Sequence, residues 1–150
     1  EEDRKIGSND FDYEIWGNDI DMNVLEQCEK NLQYTKLHKD VMLYNGSFEF
    51  QEAPEGRTMI VTNPPYGERI KVEDLNEMYT KLGDTFKNLY GEGCEVWLIT
   101  SDFEAMKHIG LKPSKKIPLI NGSLDCRFLQ FKLYEGSKKA SKQNAANEEE

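Results

Sequence analysis

Apolar and polar positions along the chain alternate between two periods, and the switches between them predict the elements. Tyr13-Glu14-Ile15-Trp16-Gly17 reads as a short strand. Asp21 can then cap a helix running to about Tyr34, with Val24, Leu25, Cys28 and Leu32 on one face. Val41-Met42-Leu43-Tyr44 is a second strand stopped by Asn45-Gly46, and Thr58-Met59-Ile60-Val61-Thr62 is a third, ending at Asn63-Pro64-Pro65. Leu75, Met78, Tyr79, Leu82, Phe86 and Leu89 recur at helical spacing, so a long amphipathic helix spans about Val72 to Tyr90, closed by Gly91 and Gly93. Glu95 to Thr100 is a fourth strand, and Asp102 caps a short helix to about Ile109. Lys116 to Ile120, Asn121-Gly122 and Leu124 to Tyr134 then form a hairpin with an Asn-Gly turn. Leu129, Phe131 and Leu133 on one side of its last strand, with Cys126 and Phe128 on the other, predict burial on both faces.

Strand–helix alternation followed by a hairpin predicts an α/β fold with a mostly parallel sheet and an antiparallel C-terminal hairpin. The expected organisation is a lead-in over 1–12, a domain over 13–135 and a tail over 136–150. The tail is rich in Ser, Lys, Asn, Ala and Glu, without a large apolar side chain, and is expected to be disordered, as is the polar lead-in.

Composition narrows this picture. The chain has 150 residues, enough for one domain, and at 37% hydrophobic it can fill a core. No apolar run approaches the roughly 20 residues needed to span a bilayer, so no membrane is expected. Its three cysteines, Cys28, Cys94 and Cys126, are far apart and odd in number, which argues against a disulfide framework or a zinc site and for a cytoplasmic setting. His38 and His108 have no partners at metal-ligand spacing, and no metal is expected. Nineteen basic against 28 acidic residues give a net charge of −9. A general nucleic-acid binder is usually basic, so contact with RNA or DNA requires a local patch or another domain.

In open α/β sheets ligands bind at the carboxyl ends of the strands. Candidate chemistry sits there. After the third strand stands Asn63-Pro64-Pro65-Tyr66-Gly67-Glu68-Arg69. Two prolines remove two N–H donors and leave carbonyls facing outward, the Asn63 amide oxygen joins them, and Tyr66 adds a flat ring. This set suits a planar group with an exocyclic amine: two acceptors for its hydrogens and a stacking face for its ring. The alternative is a rigid turn bearing a surface tyrosine. After the first strand, Asp19 is a candidate to grip ribose hydroxyls while Asp21 caps the helix; the alternative is a pair of capping acids. Lys107, His108, Lys112, Lys115 and Lys116, with Arg127 near them, form a basic stretch that reads as a solvated loop; Arg69 is the better single candidate for a substrate phosphate.

Ile15 to Asp21, Ile60 to Ile70, the Tyr79-x-x-Leu82-Gly83-x-x-Phe86 spacing, Leu98 to Asp102, and Asn121-Gly122-x-Leu124-x-Cys126 together resemble the THUMP-associated bacterial large-subunit rRNA guanine-N2 methyltransferases. These are often labelled N6-adenine-specific DNA methylases. The resemblance covers about Glu14 to Tyr134. It implies a class I, Rossmann-like fold that uses S-adenosyl-L-methionine to methylate a base amine, with guanine N2 of 23S rRNA expected and adenine N6 of DNA as the rival. Asp19 would match the ribose-binding acid, with Ile20 beside it. Asn63, Pro64, Pro65 and Tyr66 would match the catalytic motif, Asn63 also facing the cofactor, and Tyr66 and Arg69 would meet the substrate. Where the family has an acid after its third strand, Gly46-Ser47-Phe48 supplies Ser47, whose hydroxyl can bond the adenine amino group, and Phe48.

The family's strand order is 3-2-1-4-5-7-6. Nothing before Tyr13 matches its first strand and glycine-rich loop, nor the THUMP domain that brings RNA. The resemblance therefore implies the C-terminal portion of a methyltransferase domain, inactive alone. A reading of another class is a non-catalytic module that self-associates through the incomplete sheet.

Overall fold

A computed structural model describes residues 13–65 and 72–134. The lead-in over 1–12 and the tail over 136–150 lie outside them. The chain divides into two compact units, the first ending at Gln51 and the second beginning at Glu52.

In the first unit, β1 (Ile15–Asp19) and β2 (Val41–Asn45) run parallel and are joined by α1 (Met22–Thr35). Residues pair from Ile15 with Val41 through to Asp19 with Asn45. Trp16 and Tyr44 add a ring contact with centroids 5.0 Å apart. β1 lies two residues later than the apolar pattern predicts, because ladder pairing to β2 carries the polar Asn18 and Asp19 into the strand. Asp21 caps α1 as expected, its carboxylate accepting the Asn23 N–H at 2.9 Å. Of the predicted helix face, Leu25 is buried and Cys28 and Leu32 are half-buried, whereas Val24 is 49% exposed. Phe48–Phe50 forms a single 3-10 turn that the sequence pattern does not announce.

The second unit is built on a four-stranded sheet in the order β3 (Met59–Thr62), β4 (Glu95–Thr100), β6 (Leu124–Lys132), β5 (Lys115–Asn121). β3 and β4 are parallel, joined by α2 (Val72–Leu89); β6 is antiparallel to both its neighbours. The parallel pair and the terminal hairpin are those expected. Taken separately, the pair β2–β1 corresponds to the 3-2 run and the sheet β3–β4–β6–β5 to the 4-5-7-6 run of the family's strand order.

One sheet face carries Val96, Leu98, Thr100, Leu129 and Phe131, all buried, and their register places them side by side. α2 contributes Leu75, Tyr79, Leu82 and Phe86 to the same core. Burying each large side chain of this kind contributes about 1.5–3 kcal/mol. Gly83 is required by a close approach: a Cβ there would stand 1.8 Å from the Ile109 carbonyl oxygen. That contact seats α2 on the 3-10 helix Ala105–Ile109. Cys126 is buried on the opposite face, where Trp97 and Phe128 meet at 4.8 Å, while Met59 and Val61 on that face are 65% and 67% exposed. Just past α2, burial pushes the Tyr90 phenol above its ordinary value, with Cys94 a smaller cause.

Candidate active site

The predicted residues fall into two sets, one in each unit. In the first, Asp19 ends β1 and Asn45 ends β2 in matched register. The carboxyl edges of both strands are therefore level, and the loops leaving the two strands meet there. Asn45 Nδ2 donates to the carbonyls of Asp19 (3.2 Å) and Ile20 (3.1 Å), and Gly46 N–H donates to Asp19 O at 3.1 Å. These bonds fix the backbone that presents Asp19. Its Oδ1 accepts the Asp21 N–H at 2.8 Å, which orients the carboxylate and leaves further lone pairs for hydroxyl donors. Ile20 is 74% exposed, and Phe48 is half-buried. Asp19, Ile20, Ser47 and Phe48 are thus gathered at one strand edge.

Two residues here escape the sequence reading. Glu49 is one: Ser47 Oγ donates to its carboxylate at 3.2 Å, so an acid does stand after β2, two places beyond the position inspected. The second is Asn45, legible only as a turn residue until its side-chain clasp on Asp19 and Ile20 is seen.

In the second unit, Asn63, Pro64 and Pro65 follow β3 directly. Pro64 is buried and Asn63 is exposed, so the turn is anchored by the ring and its acceptor is left open. β3 pairs with β4 up to Thr62 and Leu98, which sets this turn beside the end of β4. That end is held by a polar chain. Tyr79 Oη and Thr100 Oγ1, both buried, lie 2.6 Å apart. Thr100 Oγ1 accepts the Asp102 N–H at 3.0 Å, and Asp102 Oδ1 accepts the N–H groups of Glu104 (3.2 Å) and Ala105 (2.8 Å). The helix that follows is 3-10 rather than α and its N-cap position is Glu104, so Asp102 stands two residues before the cap position predicted for it and braces the entry to the helix through these two bonds. Tyr66 and Arg69 lie outside the described residues.

Of the basic stretch, Lys107 is paired with Glu104 at 2.6 Å. Among the described residues no group of three His, Cys, Asp or Glu side chains could hold a metal ion, and no helix is long and apolar enough to cross a membrane.

Known proteins resemble this chain in sequence and in fold. The family model described as "RMKL-like, methyltransferase domain" matches residues 2–130. Ribosomal RNA large subunit methyltransferase K/L of Shewanella sp. (strain MR-4) is 32% identical over 130 residues, which is 86% of this chain and 18% of that protein. Among solved structures, SMU.472 complexed with SAH superposes with a TM-score of 0.76 at 28% identity, covering 87% of this chain and 35% of the other. A possible methylase from Clostridium difficile 630 gives 0.74 at 30% identity, covering 83% and 33%. The chain thus spans about a fifth of the length of this curated relative and about a third of these solved chains. The fold is that of the class I S-adenosylmethionine-dependent methyltransferases, and the chain belongs to the RMKL-like methyltransferase domain family.

Proposed function

We propose that this chain serves S-adenosyl-L-methionine-dependent methylation of an exocyclic base amine, with guanine N2 of 23S rRNA as the target. The observation that supports it most is the Asn63-Pro64-Pro65 turn at the carboxyl end of β3, in a chain of this family.

The residues at the β1–β2 edge fit the cofactor's adenosine. Asp19 has acceptor capacity left after its bond to Asp21, and a ribose diol offers two hydroxyl donors to it. Ile20 and Phe48 supply apolar surface for the adenine ring, and the Ser47–Glu49 pair supplies acceptors for its amino group. When bound, S-adenosyl-L-methionine supplies an electrophilic sulfonium methyl.

The work of the chain's other residues is to hold the target amine. The Asn63 amide oxygen accepts one amine hydrogen and an outward carbonyl of the Pro-Pro turn accepts the second. Accepting both draws the nitrogen toward sp³ geometry and frees its lone pair. Tyr66 stacks on the base, and Arg69 holds a substrate phosphate. Catalysis here is positioning and hydrogen-bond acceptance.

Calorimetric titration of the natural full-length protein with S-adenosylhomocysteine tests the first half of this reading. Affinity is expected to drop at least about tenfold in Asp19→Ala, the loss of roughly 1.4 kcal/mol or more from a charge-assisted hydrogen bond. Binding unaffected by Asp19→Ala contradicts the assignment.

A further inference from the structure

We propose that Arg127, stacked on Phe103, holds a backbone phosphate of the RNA strand beside the target nucleotide; the proposal rests on the methyltransferase reading above. The Arg127 guanidinium carbon lies 3.9 Å from the centroid of the Phe103 ring. Both side chains are half-buried. A guanidinium stacked by its face keeps its N–H edge open in the plane of the group, the geometry that meets two phosphate oxygens at once.

Three observations place this pair where a substrate passes. Arg127 pairs with Thr100, the last residue of β4, so it sits at the carboxyl edge of the sheet. That edge is the one on which Asn63 to Pro65 stand, two strand spacings (about 10 Å) away across β4. Phe103 is a fixed platform, because its loop is tied down by the Tyr79–Thr100–Asp102 chain just before it and by the Glu104 and Ala105 N–H groups just after it, which donate to the Asp102 carboxylate.

The electrostatics agree. The chain has 28 carboxylate side chains, yet among the described residues none pairs with Arg127. Asp125 lies two positions away on the same strand and makes no ion pair with it. Lys116, exposed, occupies the same sheet face one step along β5, since it pairs with Leu129 while Pro118 pairs with Arg127. A cation half removed from water, with no carboxylate partner among the described residues, is suited to an external anion, and in a chain of net charge −9 it is a local exception to the overall sign.

The test measures binding of a 23S rRNA fragment to the natural full-length protein at several salt concentrations, for the wild type, Arg127→Ala and Arg127→Lys, with S-adenosylhomocysteine titrated in parallel. Arg127→Ala should weaken RNA binding about tenfold and flatten the salt slope by about 0.7–1, the counterion release of one phosphate contact. Arg127→Lys should restore the slope, because a phosphate accepts a point charge, but only part of the affinity, because the stacked fork is lost. Unchanged S-adenosylhomocysteine affinity in both variants shows that the fold and cofactor site survive. An alanine variant with wild-type affinity and slope overturns the proposal while leaving the methyltransferase reading intact. A wild-type protein that binds no RNA overturns both.

Discussion

The two units carry comparable secondary structure for their size but very different cores. In the first, two strands and one helix bury a single large side chain, Leu25, while Ile15, Met22, Val24 and Met42 stay exposed. In the second, α2, β4, β6 and the 3-10 helix Ala105–Ile109 supply one core, from Leu75 and Tyr79 to Leu129 and Phe131. A two-stranded sheet has little independent stability in water, whereas four strands covered by a helix have enough buried surface to hold themselves. The edge holding Asp19 is therefore kept in shape by polar clasps, those of Asn45 and Gly46, and the edge holding Asn63 by packing beneath it. Geometry at the proposed amine site is set by a rigid core, and geometry at the proposed cofactor site by local hydrogen bonds on a softer frame.

Substitutions can break or sharpen that contrast. Leu98→Ala, in the centre of the larger core, should cost about 4 kcal/mol in a denaturant melt, the upper range for a leucine that leaves a cavity among fixed neighbours. Gly83→Ala should cost roughly 2 kcal/mol by the same melt, because the collision with the Ile109 backbone exceeds the gain in helix propensity. Asp21→Ala, which removes the α1 cap, should cost about 1 kcal/mol and should show as faster amide exchange over Met22–Thr35 with little change in α2. Val24→Ala should change stability by less than about 0.5 kcal/mol. A large effect at Val24 would mean that the first unit has a core that exposure does not reveal.

Much of this was legible in the sequence, for a physical reason that also marks where legibility ends. β4, β6 and α2 are long enough for burial to follow the period of the chain, so Leu75, Tyr79, Leu82, Phe86, Leu129 and Phe131 were identifiable from spacing alone. The turn at Asn63 was legible because proline chemistry is local. β1 was misplaced by two residues because its extent is fixed by pairing with β2, 26 positions on, and not by its own apolarity. Val24 was assigned to a core face because a helical stripe says which side is apolar and not how wide the covered strip is. The Asn45 clasp and the Phe103–Arg127 stack needed side chains brought together by the sheet, and no local pattern encodes such a meeting, whereas Glu49 is a local neighbour of Ser47, two positions on in the same loop.

The most direct test of the central claim is transfer of labelled methyl from S-adenosyl-L-methionine by the natural full-length protein, offered 23S rRNA and duplex DNA separately, with products digested to nucleosides. The account predicts label in N2-methylguanosine from rRNA, reduced about 100-fold in Asn63→Ala, the order lost when one positioned polar group is removed from a reacting centre. Label in N6-methyladenine from DNA, or an Asn63→Ala rate equal to wild type, would contradict it.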